Sequence, residues 1–344
     1  MEKKGAVLLI FTGGTVSMGE DPDTQALVPL DSTQVLGFIP ELEMLNVTIS
    51  SVSFDPLIDS SDVMPDTWIR IANLIKKHYT QFDGFVVLHG TDTMAYSASA
   101  LSFMLEHLTK PVIFTGSQLP VGVLRSDAKE NLITAIEIAA AQTANGHARV
   151  PEVCLYFEDQ LMRGNRTTKR NTEEFDAFAS FNYPELAKSG VHIRYFPANC
   201  HYEPVNQPLI LHTGLDPNIA ILKIFPGISE KTVAALLHTD GLKGVVLESF
   251  GAGNAPSCDW LYKQLKMADE RGIVTVNVSQ CRAGAVEMGR YQTSINLLKA
   301  GVVSGYDMTV EAAITKLMYL FGTFSDTKEI KRQLAISLRG EMTV

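Results

Sequence analysis

Residues 84–108 read GFVVLHGTDTMAYSASALSFMLEHL, and this stretch decides the fold class. Phe85-Val86-Val87-Leu88 is an uninterrupted apolar run, the pattern of a strand covered on both faces in a parallel sheet. Met94, Ala98, Leu101, Leu105 and Leu108 recur at spacings of three and four, which predicts an amphipathic helix running to about Leu108. Between them lies a polar hinge, His89-Gly90-Thr91-Asp92-Thr93. Open α/β sheets bind their ligands at such a strand–turn–helix junction. The hinge offers hydroxyls, a carboxylate favoured by the positive end of the helix dipole, and the free N–H groups of a helix start. Capping of the helix is the simpler role for Thr91 or Asp92, so the reading depends on whether other strands end in the same way.

Four further segments carry such turns. Ala6 to Phe11 predicts a first strand, followed by Thr12-Gly13-Gly14-Thr15, where two glycines let the backbone turn tightly near a ligand. Val47 to Phe54 alternates like a strand and leads to Asp59-Ser60-Ser61-Asp62, ahead of a helix from about Pro65 to Tyr79. Pro111 to Phe114 ends at Thr115-Gly116-Ser117-Gln118, ahead of a helix from about Ser126 to Thr143. Val153 to Phe157 precedes Arg163-Gly164-Asn165-Arg166-Thr167-Thr168-Lys169-Arg170. If these strands are parallel, the turns at Thr15, Ser60, Thr91, Ser117 and Lys169 share one sheet edge, and the helices between them are the crossovers. Ser17 to Leu30, rich in acids and without periodicity, reads as a long exposed loop beside the first strand's end.

The pattern loosens after Lys188. Pro197 to Pro208 holds three prolines and two asparagines and reads as a linker. A second alternating set follows, with strands at Ala220–Phe225, Val245–Phe250 and Ile273–Val278. Its helices are expected at Ser229–His238, Cys258–Arg271, about Thr309–Phe321 and Thr327–Leu338. The expected organisation is therefore α/β with two domains. Residues 1–196 form a larger open, mostly parallel sheet with flanking helices and the catalytic residues. Residues 197–212 are the linker, and 213–344 form a smaller α/β domain.

Composition narrows the function. A chain of 344 residues exceeds one typical core. A formal charge of −9 disfavours a nucleic-acid surface. No apolar run is long enough to span a membrane. The opening MEKKGAVLLIF runs straight into Thr12-Gly13-Gly14-Thr15 without a cleavage-like site. Cys154, Cys200, Cys258 and Cys281 are scattered, without a C-x-x-C pair, as expected of reduced thiols in the cytoplasm. Neither a G-x-S-x-G elbow nor H-E-x-x-H metal spacing occurs, and His89 reads as a packed or capping histidine.

Two chemistries remain. One is a hydrolase with a threonine nucleophile, which needs a base or a shaped environment to be reactive. Thr15 is the hydroxyl on a glycine turn, Thr91 a second hydroxyl beside Asp92, and Lys169 a base candidate. A lysine serves as a base when burial or neighbouring cations favour its neutral form, and Arg163, Arg166 and Arg170 are its sequence neighbours. The other is a phosphate- or nucleotide-binding α/β module without hydrolase activity, with RGNRTTKR as its basic patch. Against it, Gly13-Gly14 is not G-x-G-x-x-G and no G-x-x-x-x-G-K-[ST] is present.

Taken in order and spacing, TGGT after the first strand, HGTDT before a helix, TGSQ and RGNRTTK resemble the L-asparaginase family, in particular its cytoplasmic type I branch. Gly251-Ala252-Gly253-Asn254-Ala255-Pro256 and the closing Leu338-Arg339-Gly340-Glu341-Met342 extend the resemblance over essentially the whole chain. The resemblance implies hydrolysis of L-asparagine to L-aspartate and ammonia through an acyl-enzyme, without metal or organic cofactor. It makes Thr15 the nucleophile and Thr91, Asp92 and Lys169 a second triad. Asp59-Ser60-Ser61 becomes the turn that binds the α-carboxylate. Backbone N–H groups near Gly14 and the Gly90–Thr91 step become the oxyanion hole, and Ser117 joins the substrate-binding set. Asn254 matches a residue supplied by a partner subunit, which implies a homodimer or homotetramer. Two positions depart from parts of the family. Leu27 stands where many members carry a loop tyrosine. Glu248 stands where some carry an arginine serving a regulatory asparagine site, which puts cooperative activation in doubt. Tyr306, in the Gly305-Tyr306-Asp307-Met308 loop, is the candidate substitute for the missing loop tyrosine, reaching Thr15 within one chain or across a subunit interface; the alternative is a surface or packing tyrosine.

Overall fold

The computed structural model describes residues 5–20, 26–204, 207–290 and 292–344. The chain divides into two compact units, Met1–Leu211 and His212–Val344.

Among the described residues the first unit is built on an eight-stranded sheet. Its strands are β1 (Gly5–Phe11), β2 (Val47–Ser53), β3 (Gly84–Leu88), β4 (Val112–Thr115), β5 (Val153–Phe157), β6 (Gln160–Arg163), β7 (Ala187–Lys188) and β8 (Arg194–Tyr195). Their order across the sheet is β8-β7-β6-β5-β4-β3-β1-β2. The first five are mutually parallel, and the last three add an antiparallel edge. Val86, Val87, Leu88, Ile113 and Phe114 are fully buried, which explains the apolar runs without alternation. Each such side chain contributes about 1.5–3 kcal/mol by leaving water.

Register places the site. Phe11 pairs with Ser53 on one side and Leu88 on the other, and Leu88 pairs with Thr115. The four strand ends are therefore level, and the turns that follow them leave from one edge. A short helix α1 (Ser32–Gly37) is followed by the longer α2 (Pro65–His78), α3 (Met94–Met104) and α4 (Ala128–Ala140).

Three expectations need correction. Helix α3 stops at Met104, and Leu105–Glu106 pairs instead as a short strand with Ile210–Leu211. It is also buried nearly all round rather than amphipathic. Its alanines and serines leave room for close neighbours on every side, and a Cβ added to Gly164 would stand 3.0 Å from Ala98 Cβ. The Ser17–Leu30 stretch is not wholly a loop: Met18–Glu20 and Leu27–Pro29 form an antiparallel ribbon, while its residues 21–25 lie outside the described residues. Finally, Lys169 does not follow the fifth parallel strand directly. Strand β6 runs back beside β5, and Lys169 arrives on a separate two-stranded ribbon, Thr168–Lys169 against Phe178–Ala179.

The second unit has four parallel strands in sequence order: β9 (Ile219–Lys223), β10 (Gly244–Ser249), β11 (Val274–Ser279) and β12 (Val303–Ser304). Its helices are α5 (Glu230–Leu237), α6 (Asp259–Glu270), α7 (Gln292–Lys299), α8 (Val310–Thr323) and α9 (Thr327–Leu334). Ser229 caps α5 by accepting from Thr232 N, as its sequence position suggests. Helix α7 and strand β12 have no counterpart in the expected pattern, and α9 ends at Leu334 rather than Leu338. The Leu338–Met342 segment instead wraps the Glu341 carboxylate, which accepts from the Leu338 and Arg339 amides and pairs with the fully buried Lys316 at 2.6 Å. In the expected linker, Pro197–Asn199 forms a 3-10 turn, and residues 205–206 lie outside the described residues.

Candidate active site

The site begins with three turns packed against one another at Gly14 and Gly90. Thr12 closes the first strand by donating its amide and hydroxyl to Leu88 O, at 3.0 and 2.9 Å. Gly14 follows at φ 87°, and a Cβ there would lie 2.3 Å from Gly90 Cα. A Cβ on Gly90 would lie 2.5 Å from Ser60 Oγ and 3.2 Å from Gly14 Cα. Neither position has room for a side chain, so the glycines bring the Thr15, Ser60 and Thr91 turns into contact. Thr93 completes the junction by donating to Ser60 O at 2.6 Å.

Within the second turn, Asp59 Oδ1 accepts from both the amide and the hydroxyl of Ser61, each at 2.8 Å. The amide bond first, and then the hydroxyl bond, hold the Asp59 carboxyl below its ordinary range, so it is charged at neutral pH. Ser60 is buried beneath Gly90, and Ser61 is exposed.

Lys169 joins the hinge from its ribbon. Its Nζ donates to Thr91 Oγ1 at 2.8 Å and to Asp92 Oδ1 at 2.8 Å. Thr91 is buried; the Lys169 side chain is 17% and that of Asp92 63% exposed. The Thr91 hydroxyl, Lys169 Nζ and the solvent-facing Asp92 carboxylate are thus linked in one chain of hydrogen bonds. The arginines expected to crowd Lys169 are engaged elsewhere. Arg163 Nε meets Glu152 Oε2 at 2.5 Å, Arg170 pairs with Asp176, and the Arg166 guanidinium stacks on Tyr183. The RGNRTTKR run is therefore not a solvated basic patch.

Ser117 is buried with its hydroxyl donated to Leu119 O at 2.6 Å. The adjacent Gln118, absent from the sequence expectation, accepts from Thr91 Oγ1 at 3.4 Å and donates to Glu174 O at 3.1 Å. Its position after a strand-end serine was the available signal. The same turn is held by Asn131 Nδ2, which donates to Gly116 O, and by the Asp127 carboxylate, which accepts from Gln118 N.

His89 is a structural residue. Burial pushes its imidazole down to about 4, so the ring is neutral. One consistent donor chain runs Trp68 Nε1–H to Ser97 Oγ at 2.9 Å and Ser97 O–H to His89 Nε2 at 2.9 Å. His89 Nδ1–H then donates to Gly90 O at 2.7 Å. The histidine fixes the carbonyl of the residue on which the three turns meet.

In the second unit, Asn254 closes a tight loop after β10, exchanging backbone bonds with Phe250. Tyr306 sits in left-handed backbone at φ 51°. Such a conformation is uncommon for a bulky residue. It is stabilised by Tyr306 N donating to Ser304 Oγ and by Val286 N donating to Tyr306 O. Glu248 is nearly buried and paired with Lys223 Nζ at 2.9 Å. Leu27 is half exposed and pairs with Glu20 in the ribbon beside the first turn. Among the described residues no group of three histidine, cysteine, aspartate or glutamate side chains is placed to hold a metal ion, and no helix is long and apolar enough to cross a membrane.

Hydroxyls, a lysine and carboxylates gathered at the strand ends of an α/β sheet are the kinds of group a hydrolase with a hydroxyl nucleophile uses. Comparison with known proteins gives the family. The pattern "Asparaginase, N-terminal" matches residues 6–200, and "Glutaminase/Asparaginase C-terminal domain" matches residues 218–334. The chain is 46% identical to L-asparaginase 1 of Escherichia coli, over all of this chain and 99% of that one. It is 39% identical to a human 60 kDa lysophospholipase over 98% of this chain and 61% of that protein. Among solved structures, L-asparaginase I from Vibrio cholerae superposes with a TM-score of 0.90 at 40% identity, covering 99% of this chain and all of that one. This chain belongs to the asparaginase family.

Proposed function

We propose that this protein hydrolyses L-asparagine to L-aspartate and ammonia through a threonine acyl-enzyme. The observation that carries the reading is the Lys169 Nζ bridge between Thr91 and Asp92 at the Gly14–Gly90 contact. In the proposed cycle Thr15 Oγ attacks the side-chain amide carbon. Its proton passes to the leaving nitrogen, the C–N bond breaks, and ammonia departs. Water, activated at Thr91 with Lys169 as the base, then attacks the ester and releases aspartate, returning the proton to Thr15. Backbone N–H groups at the Gly14 and Gly90–Thr91 turns take the oxyanion, where one donor contributes about 3–4 kcal/mol. Asp59, Ser60 and Ser61 shape the turn for the α-carboxylate, and Asp92 takes the ammonium. Asn254 completes the site of a neighbouring copy, which makes the working form a homodimer or homotetramer. The cytoplasm is its proposed location.

The lysophospholipase relative supplies the competing substrate. A site built from polar turns, with the Asp92 carboxylate exposed beside the Thr91 hydroxyl, suits an amino acid, whose ammonium that carboxylate can pair, better than a fatty acyl chain. The test is a parallel assay of ammonia from L-asparagine and fatty acid from a lysophosphatidylcholine. Ammonia release is expected, and fatty-acid release without ammonia would overturn the reading.

A further inference from the structure

The loop that carries Asn254 is held at every carbonyl. Ser279 Oγ donates to Gly251 O at 2.6 Å, and Glu287 N to Ala252 O at 3.0 Å. Asn277, fully buried, donates Nδ2 to Gly253 O at 3.3 Å, and Phe250 N donates to Asn254 O at 2.9 Å. Gly253 lies at φ 102°, and a Cβ there would stand 2.7 Å from Val286 Cγ1. So much fixation of four residues leaves one adaptable polar group on the loop, the Asn254 side chain.

That side chain is fixed too. Thr293, the second residue of α7, donates Oγ1–H to Asn254 Oδ1 at 2.8 Å. A primary amide has an acceptor end and a donor end, and which end faces outward decides what it recognises. The bond to Oδ1 occupies the acceptor end and leaves Nδ2 with its two N–H groups. Ordering the amide beforehand also removes a rotamer cost from binding.

We infer that Thr293 is a positioning residue that turns Asn254 into an oriented hydrogen-bond donor for an oxygen acceptor in the amino-acid site. The inference rests on the asparaginase reading and adds the residue that sets the polarity of Asn254. Thr293 touches no substrate; it acts through the amide.

The test is steady-state ammonia release from L-asparagine with a double-mutant cycle. Ammonia release by the parent enzyme tests the asparaginase reading by itself and is measured first. Thr293→Val, which keeps the shape and removes the hydroxyl, is expected to raise KM about three- to tenfold, with a smaller change in kcat. Thr293→Ser is expected to restore KM. Asn254→Ala is expected to raise KM tenfold or more, and adding Thr293→Val to it should cost nothing further. Asn254→Asp keeps an acceptor for Thr293, removes the donor and adds a negative charge, so it should lose at least as much as Asn254→Ala. This last variant tests the polarity even if Thr293→Val folds poorly. Additive losses in the double variant, failure of Thr293→Ser to restore KM, or a near-parental KM in Asn254→Asp would each overturn the inference.

Discussion

Lys169 and Thr91 are 78 residues apart in the chain and joined by a 2.8 Å hydrogen bond between Nζ and Oγ1. The same nitrogen reaches Asp92 Oδ1 at 2.8 Å. The bridge supports the proposed catalytic role of Lys169 over that of a lysine on a solvated turn. Lys169→Met keeps the stem volume and removes the amine and its donors. It should lower ammonia release well over tenfold across the accessible pH range, at least about 1.4 kcal/mol in the barrier. A loss smaller than tenfold would return Lys169 to an ordinary surface role.

Gly90→Ala should disrupt the meeting point of the three turns. Its Cβ would lie 2.5 Å from Ser60 Oγ and 3.2 Å from Gly14 Cα, and overpacking of this kind costs about 1–3 kcal/mol. The expected result is a lower melting temperature together with loss of activity. Adding Ser60→Gly removes the nearest clash and should recover part of the stability. A Gly90→Ala enzyme with parental melting temperature and turnover would contradict the backbone contact.

Acid should act through His89. Burial lowers its pKa from 6.5 to about 4. Between these values the unfolded chain binds a proton that the folded chain refuses, so stability falls as pH drops from 6.5 towards 4. The full effect is on the order of 3 kcal/mol. His89→Gln cannot titrate, and its melting temperature should depend less on pH in that window. Parallel pH profiles for the two proteins would rule out His89 as the source.

Much of this architecture was legible in the chain because parallel strands buried on both faces leave uninterrupted apolar runs, as in Phe85–Leu88 and Val153–Phe157. Polar turns at their ends then stood out. The antiparallel edge strands were not legible: Ala187–Lys188 and Arg194–Tyr195 are two residues each, too short for any periodicity. Helix α3 was overextended because Leu105 and Leu108 continue the helical spacing while being buried for another reason, the pairing of Leu105–Glu106 with Ile210–Leu211. The turns at Thr15, Ser60, Thr91 and Ser117 could be named from the strand ends, but contacts across long separations could not. Nothing in the local sequence says that Arg163 turns to Glu152 or that Gln118 reaches Thr91.

Tyr306 is proposed to orient or accept the Thr15 proton in place of the family's loop tyrosine, whose position holds Leu27. Tyr306→Phe keeps the ring and should lower kcat with an unchanged melting temperature. Parental turnover in that variant would remove Tyr306 from the proposed mechanism.

The central claim, that Thr15 is the nucleophile of an asparagine amidohydrolase, is tested most directly by ammonia release from L-asparagine in the parent and in Thr15→Ala. The variant loses a single hydroxyl on a glycine turn, so its melting temperature should match the parent's. The account predicts that the parent releases one ammonia per aspartate and that the folded variant releases essentially none. Near-normal ammonia release by Thr15→Ala would contradict it.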